Sequence, residues 1–402
     1  MKKYIFFVVG VMCTLLSHTA YAIDLNKSDA NIIGHVLEKK TGEHLPYMTV
    51  ALKGTTIGTM TDGTGHYFLK NLPEGEFILS VSAVGYKPQE RKVTLKRGKT
   101  LEENFELEED MVALDGVVVT ANRNETARRL APTLVKVVTP KLFDMTNSHT
   151  LSQGLVFQPG VRVENDCQNC GYSQVRINGM DGKYTQILID SRPIFSALAG
   201  VYGLEQIPAN MIERVEVVRG GGSALFGSSA IAGTVNIITK EPLRNSGSFA
   251  HSISNFDGSG SFDNNTTLNL SLVSSDNKMG AYIYGQNRHR SAWDSNGDSF
   301  SELPKLKNQT VGVNAYYRLS PYSKLNLEYH HMEEFRRGGN RFDLPPHIAE
   351  DANLNGSGEP GLVEQIEHSI NTGGLKFSAF SKDQKHAFNA YASAQHLSLI
   401  HI

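Results

Sequence analysis

Apolar and polar residues alternate at every second position in two separate stretches of the chain. The first stretch, residues 31–107, has short alternating runs separated by turn-forming residues such as Asp62-Gly63 and Pro73-Glu74-Gly75. The residues that share a face within these runs are Met48, Val50 and Leu52, and then Phe77, Leu79, Val81 and Ala83. Alternation at period two is typical of half-buried strands, so this stretch predicts a small antiparallel β-sandwich.

The second stretch, residues 247–396, alternates more strictly, over strands of roughly ten residues. Its most regular apolar rows are Leu268, Leu270 and Leu272, then Val311, Val313, Ala315 and Tyr317, then Leu325, Leu327 and Tyr329. Short turns near residues 274–277, 320–323 and 381–384 alternate with longer connections at 256–265, 289–307 and 334–369. This regular alternation predicts about seven strands of a transmembrane antiparallel β-barrel, with one row facing lipid and one facing the lumen.

The first residues have the pattern of an export signal. Two lysines precede an apolar run from Tyr4 to Leu16, and Ala20-Tyr21-Ala22 has the small-x-small form of a cleavage site. The apolar run is too short to span a bilayer as a helix. We therefore expect residues 1–22 to be a signal peptide that is removed on export.

Composition argues against several function classes. The net charge is −2, whereas a nucleic-acid-binding protein requires a basic face. A hydrophobic share of 40% is enough to build folded cores, which argues against disorder. The sequence contains neither a nucleophile elbow nor the histidine spacing of a metalloprotease. We expect no enzyme activity, no nucleic-acid partner and no cofactor.

A run of motifs between residues 141 and 243 is the most specific feature of the sequence. In order, the motifs are Ser152-Gln153-Gly154-Leu155, Gln158-Pro159-Gly160-Val161, Val175-Arg176-Ile177-Asn178-Gly179, Ile187-Leu188-Ile189-Asp190, Ile212-Glu213-Arg214-Val215-Glu216-Val217-Val218-Arg219-Gly220, Ser223-Ala224-Leu225-Phe226-Gly227 and Gly233-Thr234-Val235-Asn236-Ile237-Ile238-Thr239. Together they resemble the plug domain of TonB-dependent receptors. The resemblance implies an α+β plug domain over residues 130–243, inside a barrel of about 22 strands when complete.

The first stretch carries a second resemblance. The motifs concerned are Ile33-Gly34-His35-Val36, Leu45-Pro46, Thr61-Asp62-Gly63-Thr64-Gly65-His66-Tyr67 and Val84-Gly85-Tyr86. With them, residues 31–107 resemble the carboxypeptidase-regulatory-like domain at the front of many Bacteroidetes receptors. This implies a β-sandwich of transthyretin- or immunoglobulin-like type. The segment shows no zinc-ligand set in its sequence, so peptidase chemistry is not expected.

Two features predict that the chain is cut within the barrel. Seven strands do not close a barrel of that size, and an open strand edge in lipid leaves backbone groups unpaired. Residues 397–402, Leu-Ser-Leu-Ile-His-Ile, match one reading frame of the transposase mosaic-end adapter used in sequencing libraries. We expect these residues to be an artefact, with a coincidence of natural sequence as the alternative.

A β-branched linker, residues 112–122, separates the first two domains. An apolar extended segment of this kind presents an open strand edge. Such a segment docks on a neighbouring domain, or it stays available for a partner to add a strand. The resemblance to the plug domain of TonB-dependent receptors aligns five linker residues with the TonB box: Val117, Val118, Val119, Thr120 and Ala121. The alignment favours pairing with the TonB component of a TonB–ExbB–ExbD complex.

Four charged plug residues resemble the family's contacts between plug and barrel wall: Glu213, Arg214, Glu216 and Arg219. Charges at such a contact would hold the register without building an apolar core that is hard to move. The alternative is that they are ordinary alternating strand charges.

Three aromatic residues lie in loops that the family places on the outward face of the plug: Tyr172, Phe195 and Tyr202. Their rings offer wide apolar faces to a flat chelate, which makes them candidates for ligand contact. The alternative for Phe195 and Tyr202 is packing within their own loop.

Cys167 and Cys170 are the cysteines that remain after removal of the signal. Export to an oxidising compartment favours a disulfide between them, with a metal or thiolate-ligand role and a thioredoxin-like role as alternatives. Residues 294–298 and 351–356 resemble the openings of calcium loops but lack the closing glutamate, which favours polar loop tips over calcium. We expect no metal site.

These features together favour a receptor in the cell outer membrane that imports a metal chelate, namely a ferric siderophore, haem or cobalamin. The partners implied are the TonB–ExbB–ExbD complex, the chelate, outer-membrane lipid and a surface lipoprotein. An oligosaccharide importer of the same superfamily is the alternative, although Ala121-Asn122-Arg123-Asn124 departs from the run that such relatives carry. A signal-transducing receptor would have βαβ patterning at its front, and an adhesin or passive porin would need no plug.

Overall fold

The computed structural model of the chain describes residues 30–83, 85–109, 118–119, 126–127, 135–167, 172–193, 207–258, 260–342, 344–356, 358–382 and 386–401. The predicted signal peptide lies outside these ranges. Within them, no helix is both long enough and apolar enough to cross a membrane. Three β-rich parts follow one another along the chain.

The N-terminal part is a sandwich of two sheets. Its strands are β1 (Ala30–Glu38), β2 (Thr49–Leu52), β3 (Gly58–Met60), β4 (His66–Leu72), β5 (Gly75–Ser82), β6 (Gln89–Leu95), β7 (Thr100–Glu102) and β8 (Phe105–Leu107). One sheet has the order β4-β1-β7, with β8 also beside β1, and the other has the order β3-β2-β5-β6. Val50 and Leu52 of β2 pack with Leu79 and Val81 of β5, all at most 1% exposed. The predicted sandwich and its alternating faces are confirmed.

The turn pattern predicts an antiparallel sandwich, but the structure also contains parallel strand pairs. Strand β1 pairs antiparallel with β4 but parallel with β7 and β8. After β6 the chain leaves one sheet for the other. A strand that arrives by such a crossover, rather than through a tight hairpin, runs in the same direction as its neighbour.

The middle part is an α+β plug, as the sequence predicts. Its strands, which follow the linker strands β9 (Val118–Val119) and β10 (Thr126–Ala127), are β11 (Val135–Val138), β12 (Val161–Cys167), β13 (Tyr172–Ile177), β14 (Thr185–Ile189), β15 (Arg192–Pro193), β16 (Ile212–Arg219) and β17 (Gly233–Thr239). Its helices are α1 (Pro140–Met145), α2 (Leu151–Leu155) and α3 (Ser223–Phe226), with 3-10 turns at Gly182–Tyr184 and Ala209–Met211.

The plug is organised around one sheet with the order β11-β16-β17-β14-β15, and β12 and β13 form a separate hairpin. Strands β14 and β17 are parallel, and all five residues of β14 are buried. A strand in the middle of a sheet with parallel pairing is covered on both faces, which explains the continuous apolar run Ile187-Leu188-Ile189.

The third part is a sheet of seven antiparallel strands in chain order. The strands are β18 (Ser246–Asn255), β19 (Phe262–Val273), β20 (Met279–Arg290), β21 (Lys305–Ser320), β22 (Ser323–Gly339), β23 (Val363–Phe380) and β24 (Ala387–His401), with helix α4 (Pro346–Ala349) between β22 and β23. The strand number agrees with the sequence prediction. Strand β24 includes residues of the predicted adapter artefact, which stays a prediction.

The strands are longer than the ten residues predicted from alternation: β23 has 18 residues and β22 has 17. About ten residues suffice to cross the hydrocarbon core. The extra residues are polar, and they stay paired because a neighbouring strand of similar length supplies their hydrogen-bond partners. Polarity therefore marks where a strand leaves the apolar zone, not where its pairing ends.

Alternation along these strands separates an outer from an inner face. Leu268, Leu272 and Leu327 are 46%, 52% and 46% exposed on the outside, whereas Asn314 and His330 are 6% and 2% exposed on the inside. The apolar row thus points away from the plug and the polar row points towards it. This is the arrangement of a transmembrane barrel wall.

The sandwich lies against the short turn between β21 and β22. Thr56 donates its backbone N–H to Pro321 O at 2.9 Å, and Tyr322 packs against the core of the sandwich. The guanidinium of Arg244 lies over the ring of Tyr47, 4.5 Å from its centre. Short turns of outer-membrane barrels are on the periplasmic side, which places the sandwich there.

Candidate functional site

The inner face of the seven-stranded sheet packs directly against the plug. Tyr282, Tyr284, Met332 and Ile370 project from the sheet into one core that they share with plug residues. All four are at most 7% exposed. The plug is therefore seated on the barrel wall through an apolar centre, around which the contacts are polar.

Asn210 joins the plug to the wall beside this core. Its side-chain amide donates to Asn269 Oδ1 at 2.8 Å and to Gly285 O at 3.2 Å. Its backbone carbonyl accepts a hydrogen bond from the hydroxyl of Tyr282 at 2.9 Å. The 3-10 turn Ala209–Met211 sets both groups towards the wall, so a single residue connects the plug with β19 and β20.

His149 makes a second polar contact. Its Nε2 lies 3.1 Å from Ser252 Oγ on β18, and its backbone carbonyl accepts from Gln286 Nε2 at 3.4 Å. Burial lowers the pKa of His149, and the positive charge of Arg288 lowers it further. The imidazole is therefore neutral at pH 7, and it holds this contact through hydrogen bonds and not through charge.

A buried ion pair joins Arg192 Nη2 of the plug to Glu328 Oε1 of β22. Their side chains are only 14% and 11% exposed. Gly374 of β23 makes room for the pair, because a Cβ built there would overlap both Arg192 Nη1 and Glu328 Oε1. Within the described residues, Nε and Nη1 of Arg192 have no hydrogen-bond partner.

A strained turn presents Arg192 to the wall. Asp190 and Ser191 between β14 and β15 both have positive φ, 46° and 66°, which favours glycine or asparagine. Thr239 holds the turn by donating from its N–H and hydroxyl to the carboxylate of Asp190, at 3.1 and 2.7 Å. Burial raises the pKa of Asp190, while these hydrogen bonds and the charge of Arg192 oppose the shift. Strain of this kind persists only where surrounding contacts enforce it.

The four charges that the sequence assigns to the plug–wall contact lie on β16. Glu216 is fully buried and accepts from Arg214 Nε at 2.9 Å within the same strand. Glu213 is exposed on the same strand. The side chain of Arg219 packs over Gly160, and a Cβ built on Gly160 would lie 2.5 Å from Arg219 Nη1. Their role at the wall stays a prediction.

Several predicted site residues lie outside the described residues. These are Val117, Thr120, Ala121, Cys170, Phe195 and Tyr202, together with the side chains of Val118, Val119, Cys167 and Tyr172. The backbone of Val118–Val119 pairs antiparallel with Thr126–Ala127. The backbones of Cys167 and Tyr172 pair at the end of the hairpin of β12 and β13. The TonB-box, disulfide and ligand-contact assignments stay predictions.

The first predicted calcium-like loop brings three carboxylates together, those of Asp294, Asp298 and Glu302. They also fold the loop itself: Asp294 accepts from the backbone N–H groups of Gly297 and Ser299, both at 2.7 Å. These bonds account for the position of Asp294, and the expectation of a polar loop tip stays a prediction.

The sequence pattern does not single out Arg192, Asn210 or His149. Each is one polar residue in a loop, turn or short strand, and its partner is on a barrel strand far along the chain. The only available signal is the inward polar row of the barrel, which includes Glu328, but alternation alone does not pair it with a plug residue.

Comparisons with known proteins agree with this architecture. A family model described as the CarboxypepD_reg-like domain matches residues 32–119, and one described as the TonB-dependent Receptor Plug Domain matches residues 127–234. The vitamin B12 transporter BtuB of Vibrio vulnificus strain YJ016 is 32% identical over 229 residues, covering 50% of this chain and 37% of the relative. BtuB of Photobacterium profundum is 37% identical over 128 residues, covering 31% of this chain and 20% of the relative. The chain thus spans well under half the length of these curated relatives.

Solved structures show the same fold. The siderophore receptor PirA from Acinetobacter baumannii has a TM-score of 0.56 at 21% identity, covering 67% of this chain and 40% of that chain. The unliganded ferric citrate transporter FecA has a TM-score of 0.55 at 16% identity, covering 71% of this chain and 43% of that chain. The seven strands and the plug thus correspond to part of such a receptor.

The family consists of outer-membrane receptors and transporters, not enzymes, in agreement with the expected outer-membrane location. The chain thus carries the plug domain of TonB-dependent receptors and resembles these receptors in its barrel strands.

Proposed function

We propose that the complete protein imports a metal chelate across the outer membrane, with energy delivered through TonB, ExbB and ExbD. Sequence relatives at 32–37% identity are vitamin B12 transporters, which supports a chelate of the cobalamin class before a siderophore or haem. An oligosaccharide has no comparable support among these relatives. The chelate would bind on the outward side of the plug.

The observation that carries the proposal is the way the plug is held. The contact between the plug and the barrel wall combines a small apolar core with polar groups. These groups include Asn210, His149 and the Arg192–Glu328 pair. Polar groups that leave one another can be rehydrated, whereas a large apolar core would resist separation. The incompletely bonded guanidinium of Arg192 further limits the stability of the seated state. Such a seat is stable at rest and can be released by a pull.

The pull would be applied at residues 117–121. Among the described residues, Val118–Val119 pair with Thr126–Ala127 in a two-stranded sheet. A two-stranded pairing is marginally stable in water, so a partner strand that adds more hydrogen bonds can replace it. Outer-membrane lipid would contact the exposed leucine row of the strands. A surface lipoprotein is a further partner to be sought by co-purification with the complete receptor.

Uptake by cells that make the complete receptor tests the proposal. Val118→Pro removes a backbone donor from the strand that TonB would bind, whereas Val118→Ala retains it. We expect Val118→Pro to abolish accumulation of labelled cyanocobalamin or ferric siderophore while surface binding persists, and Val118→Ala to retain uptake. Normal uptake by Val118→Pro would refute energy coupling through this segment. Binding of an oligosaccharide and of neither chelate would move the assignment to the saccharide importers.

A further inference from the structure

Three histidines meet on the surface of the N-terminal sandwich. His35 is on β1, His66 begins β4, and His44 is in the connection between β1 and β2. The ring centres are 5.2 Å apart for His35 and His44, 5.7 Å for His35 and His66, and 4.9 Å for His44 and His66. The rings of His44 and His66 are exposed, and that of His35 is partly buried. The receptor function proposed above makes no use of this cluster.

The fold brings these residues together through strand register and one close approach. His35 and His66 are direct partners in the antiparallel pair β1–β4, where opposed Cβ atoms are about 5 Å apart. Gly65, with φ +77°, lies so near the β1–β2 connection that a Cβ there would meet His44 Cβ at 2.8 Å. Leu45 then donates its N–H to Val36 O at 2.8 Å, which fixes His44 beside the pair.

The ring spacing matches that of imidazoles around one metal ion. A metal–nitrogen bond of about 2.0 Å puts a ring centre about 3.2 Å from the metal, so two rings at a tetrahedral angle have centres about 5.2 Å apart. The three observed separations, 5.2, 5.7 and 4.9 Å, lie within about half an ångström of this value. The nitrogens of the three rings do not all lie within 4.8 Å of one another as the side chains stand, so they converge on one ion after the exposed rings of His44 and His66 rotate about their side-chain bonds. Their exposure leaves room for that rotation.

Hydrogen bonds prepare His66 for ligation. The hydroxyl of Thr64 donates to Asp62 Oδ1 at 2.7 Å, so its oxygen can only accept from His66 Nδ1, 3.0 Å away. The proton then resides on Nδ1, and Nε2 keeps a lone pair for a metal. A carboxylate that orients a ligating histidine through its other nitrogen is a common device in metal sites.

We propose that His35, His44 and His66 bind a divalent transition-metal ion, with Zn²⁺ or Cu²⁺ as the ions that a set of three imidazoles suits. Imidazole nitrogen disfavours Ca²⁺ and Mg²⁺, which take oxygen ligands. Water completes the coordination. The site lies in the sandwich, away from the plug, on the side of the short barrel turns.

Titration of the purified chain in detergent with Zn²⁺ alone, by calorimetry, tests the site. We expect one site that is weakened at least tenfold by His44→Ala and by His66→Ala. The matched control is His347→Ala, which removes an exposed histidine of α4 and should leave the affinity unchanged. Equal affinity in all four proteins, or equal weakening by the control, would overturn the proposal.

A second measurement separates ligation from a change in folding. Electron paramagnetic resonance of the chain with one equivalent of Cu²⁺ should show coupling to several imidazole nitrogens, with fewer in His44→Ala. Thr64→Val removes the hydroxyl that orients His66, and we expect about a tenfold loss of Zn²⁺ affinity that Thr64→Ser restores. A Cu²⁺ spectrum unchanged by His44→Ala, with normal thermal unfolding of the metal-free protein, would exclude these ligands.

Discussion

A methyl group on Gly374 would separate the two members of the Arg192–Glu328 pair. The Cβ of Gly374→Ala would fall on the inner face of β23 and overlap atoms of both side chains. The adjacent Gly373 gives the matched control, because its Cβ would point away and meet only Glu328 O, at 3.9 Å. Both glycines are central in the same strand, so the two substitutions have the same intrinsic effect on the backbone.

The size of the effect on the seating of the plug follows from the burial of the Arg192–Glu328 pair. The side chains are 14% and 11% exposed, so separating them leaves two charges that water reaches poorly. Breaking a buried pair costs about 3–5 kcal/mol. Alanine in place of glycine within a strand returns roughly 0.5–1 kcal/mol. We therefore expect Gly374→Ala to weaken the seating of the plug by about 2–4 kcal/mol, and Gly373→Ala to strengthen it slightly or leave it unchanged.

Hydrogen exchange measured on the intact receptor in detergent reports this seating. Amides of β14 and β17, such as those of Leu188 and Val235, become accessible when the plug opens locally. A loss of about 2–4 kcal/mol would speed their exchange by roughly 30- to 1000-fold in Gly374→Ala. Equal exchange in Gly374→Ala and Gly373→Ala would show that the ion pair does not hold the plug.

Three further predictions concern the plug. Unreduced protein should show no reactive thiol at Cys167 or Cys170, and two thiols that react without reductant would favour a ligand role. Replacing Tyr172 and Tyr202 together by alanine should weaken chelate binding by more than about tenfold, roughly 1.4 kcal/mol, and unchanged affinity would place the ligand on other loops. Because burial lowers the pKa of His149 from 6.5, its contribution to stability is complete above that pH and declines below it. Thermal unfolding at pH 7.5 and 5.5 should therefore differ less in His149→Gln.

Periodicity in the sequence is sufficient to predict which face of each strand is apolar and which is polar. Leu268 and Leu272 alternate with polar residues, and the structure places the leucines outside and the polar residues inside. The alternation also predicts the sandwich core built on Val50 and Leu79. Side chains on a strand point to opposite faces in turn, so a local pattern decides the face without knowledge of the partner strand.

Local pattern fails where direction or extent depends on a neighbour. The parallel pairing of β1 with β7 and β8 results from a crossover between sheets, which turn residues do not encode. The polar ends of β22 and β23 remain strand because each provides the other's hydrogen bonds. In both cases the energy that decides the structure comes from a partner strand.

Only the tertiary structure identifies the contacts that the proposed functions use. Arg192 meets Glu328, and His35 meets His44 and His66, across segments separated in sequence. The sequence determines the charge, size and face of each of these side chains. Their meeting depends on strand register and on glycines such as Gly65 and Gly374, whose missing side chains let two segments approach. Distance between segments is a property of the packed chain, because many weak contacts elsewhere fix it.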